Sequence, residues 1–221
     1  MNVNDQVIRV ENGVVTLLEQ RVLKTVSVTA FQDALASSIG VRTPVLPAGC
    51  ILYAKKAERT CYLLEQPPGV RQVRFSSERT HTYAIPVPYA YFAVAFHHYA
   101  LEFLFAYFSS KPVLSTAAAL CYAPLPNINR DCRVCLGEYR FRVTADVPNR
   151  VADVVRYFWE SAFNEEILEL YQNEMPEQIR ELTPKDQPWF EGWSKVPADL
   201  ASVLPWVRCC TVAEAVDRAL R

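Results

Sequence analysis

Apolar and polar residues alternate along the first part of this chain and recur at helical spacing along the last. Two β-rich runs, Val14–Leu18 and Val22–Val28, flank Glu19-Gln20-Arg21 and predict a hairpin. Thr29 stands three residues before Gln32, a capping-box spacing, and predicts a short helix over 30–38 that Gly40 ends. Further β-rich runs follow at Cys50–Ala54, Thr60–Leu64 and Val70–Phe75. Their connections, Lys55–Arg59 and Gln66-Pro67-Pro68-Gly69, are polar or turn-forming, so an antiparallel meander is expected. Ser76–Thr82 reads as a polar loop leading to the Pro86-Val87-Pro88 corner. From Tyr89 to Phe108 apolar residues occupy every side, which fits a buried helix or two buried strands. Aromatic and β-branched residues on either side of His97-His98 favour the strands, with the two histidines as a polar turn.

The prolines between 112 and 127 predict an irregular, rigid path through a small-residue stretch at Ser115–Leu120. Beyond it the pattern turns helical. Asn149 is expected to cap a helix with Val151, Val154, Val155, Phe158 and Ala162 on one face. Asn164 is expected to cap a second helix through Tyr171, stopped before Pro176. Pro188–Trp193 reads as an aromatic loop, and Thr211 with Glu214 opens a closing helix that buries Val212, Ala215, Val216 and Ala219. Strands first and helices later is the α+β pattern.

Composition narrows the function classes. Lys and Arg total 23 against 24 Asp and Glu, and no long basic run exists to neutralise phosphates, so a nucleic-acid scaffold is not expected. The 89–108 run has the length of a bilayer crossing, but His97, His98 and Glu102 lie near its middle, where charge is costly, so no membrane span is expected. Seven cysteines, an odd number, follow a polar start without secretory character. Reduced thiols in a cytoplasm fit better than a disulfide framework. Fifteen prolines against six glycines suggest fixed turns rather than flexible linkers.

The chemistry-bearing residues concentrate in one segment, Leu125-Pro126-Asn127-Ile128-Asn129-Arg130-Asp131-Cys132-Arg133-Val134-Cys135-Leu136-Gly137. Cys135 is a candidate nucleophile and acyl carrier, because a thiolate both attacks carbonyls and leaves from them. The bland alternative is a buried cysteine at a strand end. Asn127 is a candidate amide donor to an oxyanion or a brace of the loop; the bland alternative is a turn residue after proline. Cys132 and Cys135 also form a Cys-x-x-Cys pair, which can mark redox chemistry or half a zinc site. Two further ligands would be needed, and Cys121, His97 or His98 could join only through folding. No metal or cofactor is therefore expected. The sequence holds no glycine-rich phosphate loop and no Gly-x-Ser-x-Gly turn, and nothing in it places a histidine beside Cys135 for a protease pair.

The Pro-Asn to Cys segment resembles the ubiquitin-conjugating enzymes, which carry His-Pro-Asn, a loop, and then Gly-x-[Ile/Val]-Cys-Leu, with eight residues from Asn to Cys. Here Leu125-Pro126-Asn127-Ile128 and Arg133-Val134-Cys135-Leu136 stand at the same offset. More narrowly, the chain is similar to the bacterial members encoded with ubiquitin-like proteins, ThiF-like adenylating enzymes and JAB-type peptidases. Pro86-Val87-Pro88, Lys111-Pro112, Cys135-Leu136-Gly137 and Phe158-Trp159-Glu160-Ser161-Ala162-Phe163 recur in that order. The resemblance covers about residues 46–172 of a single domain, 1–221, with an N-terminal strand-helix extension (1–45) and a C-terminal helical region (173–221).

It implies an α+β ubiquitin-conjugating-enzyme-like fold: an antiparallel meander, a catalytic loop, then helices. It implies that a ThiF-like enzyme activates a ubiquitin-like protein, that Cys135 holds it as a thioester, and that an amine, of the lysine type, then attacks with Asn127 steadying the oxyanion. A JAB-type peptidase is an implied partner and antiphage defence an implied setting. The alternative is an inactive module of the same fold that binds a ubiquitin-like protein or its activating enzyme. Two departures stand out: Leu125 replaces the histidine that braces the turn, and Cys132 replaces a common glycine, which predicts a loop less able to reach positive φ and a neighbouring thiol that makes Cys135 sensitive to disulfide formation.

Overall fold

The computed structural model describes residues 7–11, 14–18, 22–32, 45–137, 147–167, 173–183 and 188–221. The chain divides into two units, Met1–Pro44 and Val45–Arg221. In the first, β1 (Val7–Glu11), β2 (Val14–Leu18) and β3 (Val22–Ser27) form an antiparallel sheet in chain order. β2 and β3 are the expected hairpin; β1 is an additional strand. A helical turn at 28–32 is capped by Ser27 rather than Thr29, with the Ala30 N–H donating to Ser27 Oγ at 3.1 Å. The rest of the expected 30–38 helix lies outside the described residues.

The second unit begins with β4 (Cys50–Lys56), β5 (Arg59–Gln66), β6 (Gly69–Ser76), β7 (Thr80–Val87), β8 (Tyr89–His97), β9 (Ala100–Ser109) and β10 (Ala119–Tyr122). After these come α1 (Val147–Glu160), β11 (Ala162–Phe163), α2 (Glu177–Leu182), α3 (Trp189–Trp193), a 3₁₀ helix (Ala198–Val203), β12 (Arg208–Thr211) and α4 (Val212–Ala219). The main sheet has the order β12-β10-β9-β8-β5-β4, antiparallel throughout. β6 and β7 form a separate small sheet, with β11 parallel to β6.

The simple meander is thus corrected: the β6–β7 hairpin leaves the main sheet between β5 and β8, and β5 pairs with β8 instead. The polar loop read at 76–82 is also corrected, because Thr80–Thr82 already belong to β7. The first three residues of that strand are exposed, so polarity there marked a wet strand rather than a loop.

β8 explains why the apolar run had no readable period. Ala90, Phe92, Val94 and Phe96 point into one buried cluster, while Tyr91, Ala93 and Ala95 point into another on the opposite face. A central strand covered on both sides reads as continuous hydrophobe. The first cluster includes Val151, Val154, Val155 and Phe158 of α1, with Phe158 edge-on to Phe92 at 5.4 Å. The second includes Val212, Ala215, Val216 and Ala219 of α4. The expected capping box is present: Glu214 N–H donates to Thr211 Oγ1 at 3.3 Å, and Thr211 N–H donates to Glu214 Oε2 at 2.7 Å.

Three helix expectations need correction. α1 starts at Val147, so Asn149 lies in its first turn, and it ends at Glu160; Ala162 belongs to β11, not to the helical face. Residues 165–167 after Asn164 are not helical, and 168–172 lie outside the described residues. Asn164 instead closes a side-chain turn, its Oδ1 accepting from Glu166 N–H at 3.1 Å. Pro188–Trp193 is not a loop: Pro188 precedes the short helix α3, whose Trp193 is fully buried and donates from Nε1 to Pro86 O at 2.8 Å.

Candidate active site

Residues 124–137 form a hairpin-like loop bonded along β9. Val134 N–H donates to Leu104 O at 2.8 Å and Ala106 N–H to Cys132 O at 3.0 Å, while Ile128 and Val134 face each other across the loop. The tip closes through Cys132 N–H to Asn129 O and Asn129 N–H to Arg133 O, both 2.8 Å. Asp131 Oδ1 accepts from Arg133 N–H at 3.0 Å. These bonds are local or to β9 and hold the hairpin against the main sheet.

Leu125 is fully buried in the first core cluster. Where a histidine would brace this turn through polar contacts, apolar burial anchors it here. Fully burying a leucine side chain stabilises by about 1.5–3 kcal/mol. Cys132 corrects the expectation drawn from its replacing glycine: it does take positive φ, 69°. The left-handed conformation costs a non-glycine residue about 1–2 kcal/mol, and the wholly buried thiol in the second cluster offsets it.

Asn127, at φ 66°, stands at the start of the hairpin and Cys135 at its end, joined by a bond from Cys135 N–H to Asn127 O at 2.7 Å. Asparagine tolerates that backbone better than most residues. Its Nδ2 donates to Ala162 O at 3.3 Å and its N–H to Ile167 O at 3.2 Å. β11 therefore ties the loop to the end of α1 and, through the pairing of Ala162 with Arg74, to β6. Asn127 and Cys135 line one open cleft of about 440 Å³ together with Arg74, Tyr157, Glu160 and Glu166. Cys135 is exposed, unlike the other six cysteines, and the reading of it as a buried strand-end residue is wrong.

Sequence reasoning missed the far wall of that cleft. The Arg74 guanidinium donates to the Glu160 carbonyl, and Tyr157 Oη approaches Leu136 O at 3.5 Å. No local motif marks Arg74 or Tyr157; the β6–β11 pairing brings in Arg74, and α1 carries Tyr157 and Glu160. Asp131 is turned to its own loop, with its carbonyl accepting from Arg218 at 2.6 Å, and Glu138 lies outside the described residues.

The Cys-x-x-Cys pair is not a joint site. Cys135 faces the cleft, whereas Cys132 is buried beside Cys209, whose Sγ lies 3.6 Å from that of Cys210. Hydrogen bonds to Cys132 and Cys210, together with burial, push the Cys209 thiol up. All seven cysteines are free, and no histidine lines the cleft. Among the described residues, no helix is long and apolar enough to cross a membrane.

A family model described as Prokaryotic E2 family D matches residues 28–192. No curated protein and no solved structure matches the chain. The matched span includes β4–β11, the Asn127–Cys135 loop, α1, α2 and all but the last residue of α3, so every wall of the cleft falls within it. On that match, over most of its length, the chain belongs to prokaryotic E2 family D, a bacterial E2-like protein.

Proposed function

We propose that this chain accepts a ubiquitin-like protein as a thioester on Cys135 and passes it to an amine. Membership of an E2 family points to ubiquitin-like conjugation and to transferase chemistry. The observation that carries the finer reading is the pairing of an exposed thiol with a fixed side-chain amide in one open cleft.

The Cys135 thiolate attacks the C-terminal carbonyl activated by a ThiF-like adenylating enzyme; a C–S bond forms and the activating group leaves. An incoming amine, of the lysine type, then attacks that carbonyl, a C–N bond forms, the C–S bond breaks, and the thiolate returns. The amine's proton passes to a base or to solvent; Glu160 and Glu166 are the carboxylic residues among those that line the cleft. Between these steps an oxyanion develops. The Asn127 amide has two N–H donors; one serves Ala162 O, and the other serves the oxyanion. Asn127 thus both braces the loop and polarises the carbonyl. The reaction places no demand on a metal or nucleotide in this chain. A JAB-type peptidase and a defence setting belong to the same reading.

The test mixes the chain with a candidate ubiquitin-like protein, its adenylating enzyme and ATP. A thiol-sensitive adduct is expected, lost in Cys135→Ala. Binding without an adduct under any condition would favour the inactive module, and an adduct that survives Cys135→Ala would sink the assignment.

A further inference from the structure

Two hairpin tips of the main sheet carry a cluster that conjugation does not use. β4 and β5 turn through Ala57-Glu58, and β8 and β9 through His98-Tyr99. Because β5 pairs with β8, with Arg59 opposite His97, the tips lie side by side, and His98 N–H donates to Glu58 O at 2.9 Å. Glu58 Oε2 lies 3.4 Å from His97 Nε2 and 3.0 Å from His98 Nε2. A ligand atom from each of the three residues falls within 4.8 Å of the others.

The two carboxylate–imidazole separations, 3.0 and 3.4 Å, are those of neighbouring ligands in a metal's coordination sphere. Ligand atoms about 2.0–2.1 Å from a tetrahedral zinc ion stand about 3.3 Å apart. We infer that Glu58, His97 and His98 form a binding site for one zinc-class divalent ion, with the fourth position open to water or to a donor from a partner. Two imidazoles and a carboxylate select zinc, cobalt, nickel or copper over the oxygen-preferring magnesium and calcium. All three side chains are at least half exposed or nearly so (49, 57 and 63%), so an ion reaches them without opening the fold.

The site is also held in shape. The first residue of each turn takes positive φ, 51° at Ala57 and 53° at His98, where glycine or asparagine is the ordinary choice. His98 thereby lies against the neighbouring hairpin, its ring 4.6 Å from that of His97. Arg150, buried on α1, donates to Tyr99 O at 2.5 Å and fixes the β8–β9 tip from beneath. The adjacent Arg59 is engaged by Glu102 through two bonds of 2.6 and 2.7 Å, so its charge is balanced beside the site. None of the three ligands lines the Cys135 cleft.

The experiment titrates the full chain with Co²⁺, followed by visible absorption and calorimetry, and then displaces it with Zn²⁺. One ion per chain is expected, with d–d bands of a four-coordinate nitrogen–oxygen site and no thiolate-to-cobalt charge-transfer band. Glu58→Gln, His97→Gln and His98→Asn should each weaken binding by more than about tenfold. His98→Asn retains a residue at ease with positive φ, and all three replaced side chains are exposed, so the fold is expected to persist by circular dichroism. Absence of Co²⁺ binding, binding unchanged in all three variants, or a charge-transfer band that places the ion on cysteine would each overturn the site.

Discussion

Cys135 and Cys132 are three residues apart and meet opposite worlds. The first is exposed on the cleft, the second is sealed beside Cys209 under α4. Native-state alkylation with a bulky maleimide should therefore modify Cys135 first, with Cys61, Cys132 and Cys210 protected until the chain unfolds; peptide mapping that finds Cys132 labelled as fast as Cys135 would contradict this burial. Asn127 carries a second expectation. Removal of one oxyanion donor lowers a rate by about 10²–10³, so Asn127→Ala should slow amine transfer from the Cys135 adduct by that order. Its rate of maleimide labelling at Cys135 separates the two roles: an unchanged rate leaves the loop intact and isolates the oxyanion effect, whereas an altered rate shows that the bond to Ala162 sets the loop.

Among the elements, α4 offers a direct test of local electrostatics. Bonds from the Thr211 backbone and hydroxyl hold the Glu214 carboxyl below the usual carboxylate range. A carboxyl whose folded value is depressed stabilises above its ordinary range and loses that contribution as pH falls through it. Glu214→Gln should therefore lower stability at pH 7, with the difference from wild type shrinking as pH falls through and below the carboxylate range, as measured by urea unfolding; a difference independent of pH would refute the linkage. Replacement of the cap itself, Thr211→Ala, should cost about 1 kcal/mol.

Legibility varied by element for physical reasons. The α4 cap was readable because Thr211 and Glu214 are local and sufficient. The Asn127–Cys135 spacing was readable because it spans one short hairpin. β11 and α3 were not, since Ala162-Phe163 extends only by pairing with β6, and α3 has five residues whose burial, not propensity, makes them helical. Nor could local pattern show that β5 would skip β6 and β7 to pair with β8.

At the scale of the molecule, the main sheet of Val45–Arg221 is a wall covered on both faces, and the candidate site sits where its edge loop meets β11. Phe92 lies at the centre of the first cluster against Phe158 and Trp159. Phe92→Ala should cost about 3–5 kcal/mol in chemical unfolding, and a loss below about 1 kcal/mol would show the cluster to be loosely packed. The chain belongs to prokaryotic E2 family D, and the central proposal built on that membership is acyl transfer through Cys135. The most direct measurement is intact mass of the Cys135→Ser chain after incubation with its ubiquitin-like protein, adenylating enzyme and ATP. A single adduct that resists thiols is expected, where the wild-type adduct is cleaved by them; a Cys135→Ser adduct as thiol-labile as wild type, or a wild-type adduct that maps to another residue, would contradict it.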